Sequence, residues 1–124
     1  MIDDLGLLAY AYIGDSYYEL LVRNYLVDKG FRKVKDMKEE SLKFVSAKSQ
    51  ADILNKIMNY LSDEEKDIVR RGRNVKTNSK PKYCDILTYK YATALEVLIG
   101  YLYRKDEIKR ISDIFSKIIE ISGD

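Results

Sequence analysis

The sequence contains no histidine, a single cysteine and a single proline among its 124 residues. The absence of histidine excludes Ser–His and Cys–His nucleophiles and imidazole metal ligands, so acid–base or metal chemistry must use carboxylates, lysine, tyrosine or water. Cys84 alone can form neither an intrachain disulfide nor a zinc cluster, which is typical of a protein in a reducing cytoplasm. One proline and six glycines favour long helices over a turn-rich β fold.

Positive and negative charges nearly balance, and the formal net charge is +2. Affinity for nucleic acid would therefore depend on a local cluster of basic residues. No uncharged run reaches the ~20 residues that a membrane-spanning helix needs, so no membrane partner is expected. The acidic first residues, MIDDLG, do not resemble a signal peptide. Because 46% of the residues are hydrophobic, we expect residues 1–124 to form a single domain.

Hydrophobic periodicity and capping residues divide the chain into about six helices, which predicts an all-α fold. The first helix runs from about Asp4 to Asp28 and ends before Gly30, and a short helix follows at about residues 34–44. The remaining helices are predicted to start near Ser46, Ser62, Asp85 and Asp106. Residues 75–83 form the only stretch long and polar enough to be a loop.

The most unusual stretch lies in the first helix, where LAYAYIGDSYYELLVR spans residues 8–23. Apolar residues recur on nearly every side of it, which predicts a buried helix, and one such stripe consists of Ala9, Ile13, Leu20 and Val27. Asp15 lies in the middle, where apolar or aromatic neighbours make an ionised carboxylate costly unless a cation pairs with it. Gly14 immediately before it indicates a backbone that another element approaches closely.

The fifth predicted helix repeats this combination, because Glu96 lies in the apolar segment ALEVLIG with Gly100 one turn away. The shared pattern predicts that the two helices cross near Gly14 and Gly100 and bring Asp15 and Glu96 together. Two oxygen ligands without nitrogen or sulfur suit Mg²⁺, or Mn²⁺, which keep several waters and also bind phosphate. In the alternative interpretation, each carboxylate pairs with a buried lysine or arginine.

A second feature is the segment RRGRNVKTNSKPK, which contains six basic residues and no acidic one at residues 70–82. Its residue types suit contacts with phosphate and ribose, and the candidates are Arg70, Arg71, Arg73, Asn74, Lys76, Lys80 and Lys82. A solvent-exposed helix end would account for the first two arginines but not for the continuation of the cluster through the loop. Lys48, near the start of the third helix, is a further candidate for a phosphate contact.

Several of these segments together resemble the ribonuclease III family. AYIGDSYYE resembles the signature in which a helix presents an acidic residue after Leu/Ile-Gly, and ALEVLIGYLY resembles the family's second acidic helix. FVSAKSQADIL and RGRN with the lysine-rich loop are similar to the Mini-III branch, which lacks a double-stranded RNA-binding domain. The resemblance covers essentially the whole chain.

The resemblance implies an all-α homodimer that cuts double-stranded RNA with Mg²⁺ and leaves 5′-phosphates, 3′-hydroxyls and short 3′ overhangs. It implies that Asp15 and Glu96 are the catalytic and metal-binding residues. Tyr12 occupies the position of an aromatic residue that enters a socket on the partner subunit, which implies a place in the dimer interface. The Mini-III branch further implies the precursor of 23S ribosomal RNA as the substrate.

The resemblance is incomplete at Leu8, Ala11 and Thr93, where the full-length family enzymes have further acidic residues. Fewer protein ligands leave the number of bound metal ions open. Two other interpretations also stay open, a catalytically silent RNA-binding or ribosome-assembly domain and a helical protein-interaction module. Metal-dependent cleavage of an RNA duplex would separate the enzyme from both.

Overall fold

The structure, a computed structural model, describes residues 4–76 and 85–122. These residues form α1 (Asp4–Asp28), α2 (Val34–Val45), α3 (Ala47–Ile57), α4 (Asp63–Arg73), α5 (Ile86–Arg104) and α6 (Ile108–Ser122), and a 3₁₀ turn follows α3 at Met58–Tyr60. There is no β-strand in the two described ranges, which confirms the predicted all-α fold. Of the predicted loop at residues 75–83, all but the first two residues lie outside these ranges.

Four helix ends have the capping residues that the sequence predicted. The side chains of Ser46 and Asp85 each accept a hydrogen bond from the backbone N–H three residues later, at the starts of α3 and α5. Ser62 and Glu65 form a reciprocal capping box at the start of α4. Gly30 follows α1 with a φ of 113°, a left-handed conformation that glycine adopts without steric cost.

The start of α6 differs from the prediction, since the helix begins at Ile108 and not at Asp106. Asp106 has a φ of 60°, so it cannot belong to a right-handed helix. Its N–H donates to the Tyr103 carbonyl, and the N–H of Glu107 donates to the Leu102 carbonyl. These bonds close the C-terminal end of α5 with a tight turn before α6 begins.

The hydrophobic core is built around α5, against which α1, α3, α4 and α6 all pack. Residues 97–100 are buried in succession, so every side of this part of α5 is covered by protein. The pairing with α1 is the most extensive of these contacts. As a result, Glu96 lies in the middle of the fold although it is a charged residue type. No helix of the described ranges is both long and apolar enough to cross a membrane.

In α1, a single stripe faces the core, and it consists of Leu7, Ala11, Gly14, Tyr18, Val22 and Leu26. The prediction that α1 is buried on nearly every side is therefore wrong for the single chain. Tyr12, Leu20 and Leu8 are 83%, 53% and 40% exposed, respectively. Because apolar residues occupy nearly every side of this helix, periodicity alone did not distinguish the stripe that packs on α5 from the stripes that remain on the surface.

Candidate active site

The helices α1 and α5 cross at two glycines, as the sequence predicted. A Cβ atom on Gly14 would lie 1.8 Å from the backbone oxygen of Glu96, and one on Gly100 would lie 1.8 Å from the backbone oxygen of Tyr10. No side chain fits in either place, so the two backbones are in direct contact. This close approach sets Asp15, the residue after Gly14, beside Glu96.

The side-chain carboxyl groups of Asp15 and Glu96 are close enough for the charge of Asp15 to raise the pKa of Glu96. Glu96 is partly buried between the helices, whereas Asp15 is exposed. The predicted convergence of the two residues is therefore present, but the prediction that Asp15 lies on a buried part of α1 is wrong. Asp15 lies on the outward side of α1, because the stripe that packs on α5 runs through the neighbouring Gly14 and Tyr18.

Burial, as the largest cause, and the adjacent carboxyl group of Asp15 together raise the pKa of Glu96 from its ordinary value of 4.5 to about 8. Gln50 of α3 acts in the opposite direction, because its amide Nε2 donates a hydrogen bond to Glu96 Oε2 at 3.5 Å. At neutral pH, Glu96 thus retains its proton when no cation is bound.

No lysine or arginine within residues 4–76 and 85–122 forms an ion pair with either carboxyl group. This finding does not support the interpretation in which buried basic residues neutralise Asp15 and Glu96. Two adjacent carboxyl groups that repel one another when ionised suit a hard divalent cation, which would replace the proton of Glu96. The described ranges contain no group of three or more potential His, Cys, Asp or Glu ligands, so such a cation would keep several waters.

Residues 8–107 match the Ribonuclease III domain. The chain belongs to the ribonuclease III family. It is similar to the Mini-ribonuclease 3 of Thermoanaerobacter sp., with 42% identity over 94% of this chain and 82% of that protein. For the Mini-ribonuclease 3 of Staphylococcus aureus, the identity is 41% over 94% of this chain and 89% of that protein.

A solved structure shows the same similarity. The crystal structure of protein FN1578 from Fusobacterium nucleatum superposes with a TM-score of 0.79 and 35% identity, over 95% of this chain and 92% of that chain. The sequence resemblance to the ribonuclease III family and its Mini-III branch is thus confirmed, and the chain is an endoribonuclease of the ribonuclease III type. Asp15 and Glu96 both lie in the part of the chain that matches this domain.

Three positions where longer ribonuclease III enzymes have acidic residues are uncharged here. Ala11 is buried on the stripe of α1 that packs on α5. Leu8 and Thr93 both line a cavity of about 20 Å³ between α1, α5 and the end of α4. A cavity of this size holds about one water molecule. None of the three positions can add a charged ligand to the pair formed by Asp15 and Glu96.

The last turn of α4 packs on α5 at the level of Glu96. A Cβ atom on Gly72 would lie 3.1 Å from Ala94 Cα and 3.1 Å from Val97 Cβ, which are two residues before and one residue after Glu96. Glycine at this position therefore lets the two helices pack closely. It also brings the basic end of α4, with the predicted phosphate contacts, to the same level of α5 as Glu96.

The basic residues of this ribonuclease III domain differ in their surroundings. Arg70 and Arg71 both pair with Asp67 on the previous turn of α4, at 2.6 and 3.0 Å. Arg73 places its guanidinium 5.6 Å from the centre of the Tyr91 ring. The remaining candidates are exposed, or lie outside the described residues in the case of the last two: Asn74, Lys76, Lys48, Lys80 and Lys82.

The sequence analysis missed Gln50, which is only 4% exposed and contacts Glu96 directly. A signal for it was present, because Gln50 shares the core-facing stripe of α3 with Ala51 and Leu54. A glutamine in such a stripe is uncommon unless its amide has a hydrogen-bond partner in the interior.

An open groove of about 710 Å³ follows the outer side of α1 and reaches Asp15. Tyr12, Tyr17 and Tyr103 contribute aromatic walls to it, and Leu20 contributes an aliphatic one. Tyr12 is the most exposed of the large apolar side chains. An exposed surface with this much apolar and aromatic area is typical of a protein contact site.

Proposed function

We propose that residues 1–124 form one catalytic domain that hydrolyses double-stranded RNA in a reaction dependent on a divalent metal. Asp15 and Glu96 are the catalytic and metal-binding residues in this proposal. The observation that carries it is the pair of adjacent carboxyl groups on two crossing helices, without a basic ion-pair partner among the described residues. Mg²⁺ is the expected cation, and Mn²⁺ is suited to the same oxygen ligands.

A bound divalent cation would activate water for attack on the phosphodiester and stabilise the charge that develops there. Glu96 must release its proton before it can act as an anionic ligand, and its partial burial limits access of bulk water to that carboxyl group. Asp15 is exposed and faces the side from which a large substrate can approach. The backbone contact between α1 and α5 holds the two carboxyl groups at a fixed separation.

The basic end of α4 supports an RNA duplex as the substrate. A-form RNA is recognised mainly through its phosphates and 2′-hydroxyls, because side chains cannot enter its deep, narrow major groove. Arg73 is the last residue of α4, which packs on α5, and Lys76 follows three residues later, while Lys48 lies near the start of α3, two residues before Gln50. These residues, with Arg70, Arg71, Asn74, Lys80 and Lys82, would contact the RNA backbone.

A homodimer is part of the proposal, because one carboxyl pair can cut only one strand of a duplex. The exposed stripe of α1 that contains Leu8, Tyr12 and Leu20 would form an isologous interface, in which the same surface of each subunit is used. The groove beside Tyr12 offers space for an aromatic side chain of the other subunit.

The proposed biological substrate is the 23S ribosomal RNA precursor in the cytoplasm, and the proposed products carry 5′-phosphates and 3′-hydroxyls. The relatives named Mini-ribonuclease 3, which this chain matches over most of their length, support membership of the Mini-III branch, and the substrate is what the resemblance to that branch implies. The alternative is a catalytically silent RNA-binding or ribosome-assembly domain. The uncharged Leu8, Ala11 and Thr93 favour it, because they leave the centre with two carboxyl groups.

A cleavage assay tests the proposal. A generic RNA duplex is incubated with the protein in Mg²⁺ and in EDTA, with the separate RNA strands and the equivalent DNA duplex as controls. We expect cleavage of the RNA duplex in Mg²⁺ alone, with 5′-phosphate ends. Binding of the duplex without cleavage in Mg²⁺ or Mn²⁺ would establish the silent alternative, and neither binding nor cleavage would contradict both.

A further inference from the structure

Gln50 is one of two buried polar or charged side chains in the described ranges, and the other is Glu65. Glu65 has a clear structural role, because it completes the capping box of α4 and forms an ion pair with Arg110 at 2.7 Å. Gln50 caps no helix. Its side-chain amide instead leaves α3 and reaches Glu96 Oε2 on α5, at 3.5 Å.

The position of Gln50 is fixed by its surroundings. It lies in the first turn of α3, where its backbone N–H donates to the Ser46 carbonyl at 2.9 Å. Ser46 also caps the helix, and the neighbouring Ala51 and Leu54 are buried against the core. A buried amide in a rigid first turn can move little, so its contact with Glu96 is determined by the packing of α3 on α5.

The contact orients the Glu96 side chain, because the amide N–H of Gln50 donates to Oε2, one of the two carboxyl oxygens. An N–H donor at one carboxyl oxygen fixes the orientation of the group. Mutation of a side chain that holds a metal ligand in this way typically lowers metal affinity or activity by roughly 10- to 100-fold.

We propose that Gln50 is a positioning residue of the active site, whose amide holds the Glu96 carboxylate ready to bind a divalent cation together with Asp15. This inference rests on the proposed function, because it takes Glu96 to be a metal-binding residue. Gln50 itself contacts neither RNA nor the cation in this role. Its effect on cleavage is transmitted through Glu96.

The test compares Gln50→Met with the unchanged chain. Methionine matches the length and flexibility of glutamine but donates no hydrogen bond, so we expect an unchanged or higher melting temperature without metal. Mn²⁺ affinity, measured by electron paramagnetic resonance without RNA, should fall roughly tenfold or more, and the Mg²⁺ concentration for half-maximal cleavage should rise equally. Leu54→Met, at a buried position one turn along the same stripe, is the matched control and should change neither value.

A second comparison separates this inference from the proposed function. In the Glu96→Gln background, Gln50→Met should cause no further loss of residual Mn²⁺ binding, because the group on which Gln50 acts is already neutral. If Glu96→Gln alone keeps full Mn²⁺ affinity and cleavage, the proposed function is wrong. If Glu96→Gln loses both but Gln50→Met keeps the normal metal requirement, only the role of Gln50 is wrong. Should Gln50→Met fail to fold, Gln50→Asn, whose shorter amide cannot reach Glu96, takes its place with the same expected loss.

Discussion

Gly14 and Glu96 are in direct backbone contact, since a Cβ atom on Gly14 would lie 1.8 Å from the Glu96 carbonyl oxygen and 2.7 Å from its carbon. The same crossing is tight from the other side, where a Cβ atom on Gly100 would lie 3.0 Å from the Gly14 nitrogen. Glycine at residue 14 is therefore what allows α1 to bring Asp15 to the side chain of Glu96.

Gly14→Ala should destabilise the fold and abolish cleavage, because a backbone oxygen cannot move aside as a flexible side chain can. We expect a loss of about 3 kcal/mol or more in the free energy of unfolding, measured by urea denaturation. Gly72→Ala is the matched control, since its Cβ atom would meet its nearest neighbours at 3.1 Å and should cost much less. A Gly14→Ala variant of normal stability would show that the helices do not approach this closely.

The crossing could be predicted because its signals are local. A glycine and a carboxylate in an otherwise apolar helix are both unfavourable, and two helices with the same pair of anomalies are explained by one contact. The starts of α3, α4 and α5 were equally predictable, because Ser46, Ser62 and Asp85 bond to backbone groups only three residues away.

The exposure of Asp15 and the role of Gln50 could not be predicted in the same way. Which stripe of α1 packs on α5 depends on tertiary contacts, and a helix with apolar residues on nearly every side carries little periodic signal. The contact of Gln50 with Glu96 joins residues 46 positions apart in sequence and depends on how α3 lies on α5. Hydrophobic patterning predicts the helices but not these long-range side-chain contacts.

Tyr12→Ala should weaken the proposed dimer. Tyr12 is 83% exposed, so its removal should leave the fold of the single chain intact. A large aromatic side chain at an interface commonly contributes about 2 kcal/mol, which corresponds to a roughly 30-fold higher dissociation constant. Sedimentation or light scattering across a dilution series measures it. Val34→Ala, an exposed apolar change on α2, should have no effect, and an unchanged chain that is monomeric at micromolar concentration would contradict the homodimer.

The basic cluster should govern the salt dependence of RNA binding. The variant replaces four residues of the cluster by alanine: Arg73, Lys76, Lys80 and Lys82. It should bind an uncut RNA duplex in EDTA more weakly than the unchanged chain. The slope of log affinity against log salt concentration should also fall by roughly one for each lost phosphate contact. Melting temperature should hardly change, because exposed charges contribute little to stability.

The control for this experiment removes the same amount of positive charge elsewhere, by alanine at the exposed residues Lys35, Lys38, Lys56 and Lys109. If RNA contacts the end of α4, the control should keep most of the affinity and the salt slope. If both variants lose the same affinity, net charge alone attracts the RNA. If the variant with alanine in the basic cluster loses no affinity, the RNA binds to another surface.

The raised pKa of Glu96 predicts how stability depends on pH without metal. Below pH 4.5 the group is protonated in both the folded and the unfolded chain. Between 4.5 and about 8, the unfolded chain has lost this proton while the folded chain keeps it, so this group makes stability fall as pH rises. Glu96→Gln removes this contribution. In EDTA, its melting temperature should exceed that of the unchanged chain by an amount that grows from pH 5 to pH 8, whereas a constant difference would contradict the raised pKa.

Asp15→Asn and Glu96→Gln should separate catalysis from folding. Each change keeps the size of the side chain but removes the negative charge that the carboxylate would present to a bound cation. Each should therefore raise the barrier to cleavage by about 4 kcal/mol and lower the cleavage rate roughly 1,000-fold. Duplex binding should persist, because it depends on basic residues elsewhere. Asp113→Asn on α6 is the control and should cleave normally.

If a basic residue neutralised either carboxylate, removing the charge would instead destabilise the fold by several kcal/mol. Variants that unfold, or that keep full cleavage activity, would therefore contradict a metal-binding role for this pair.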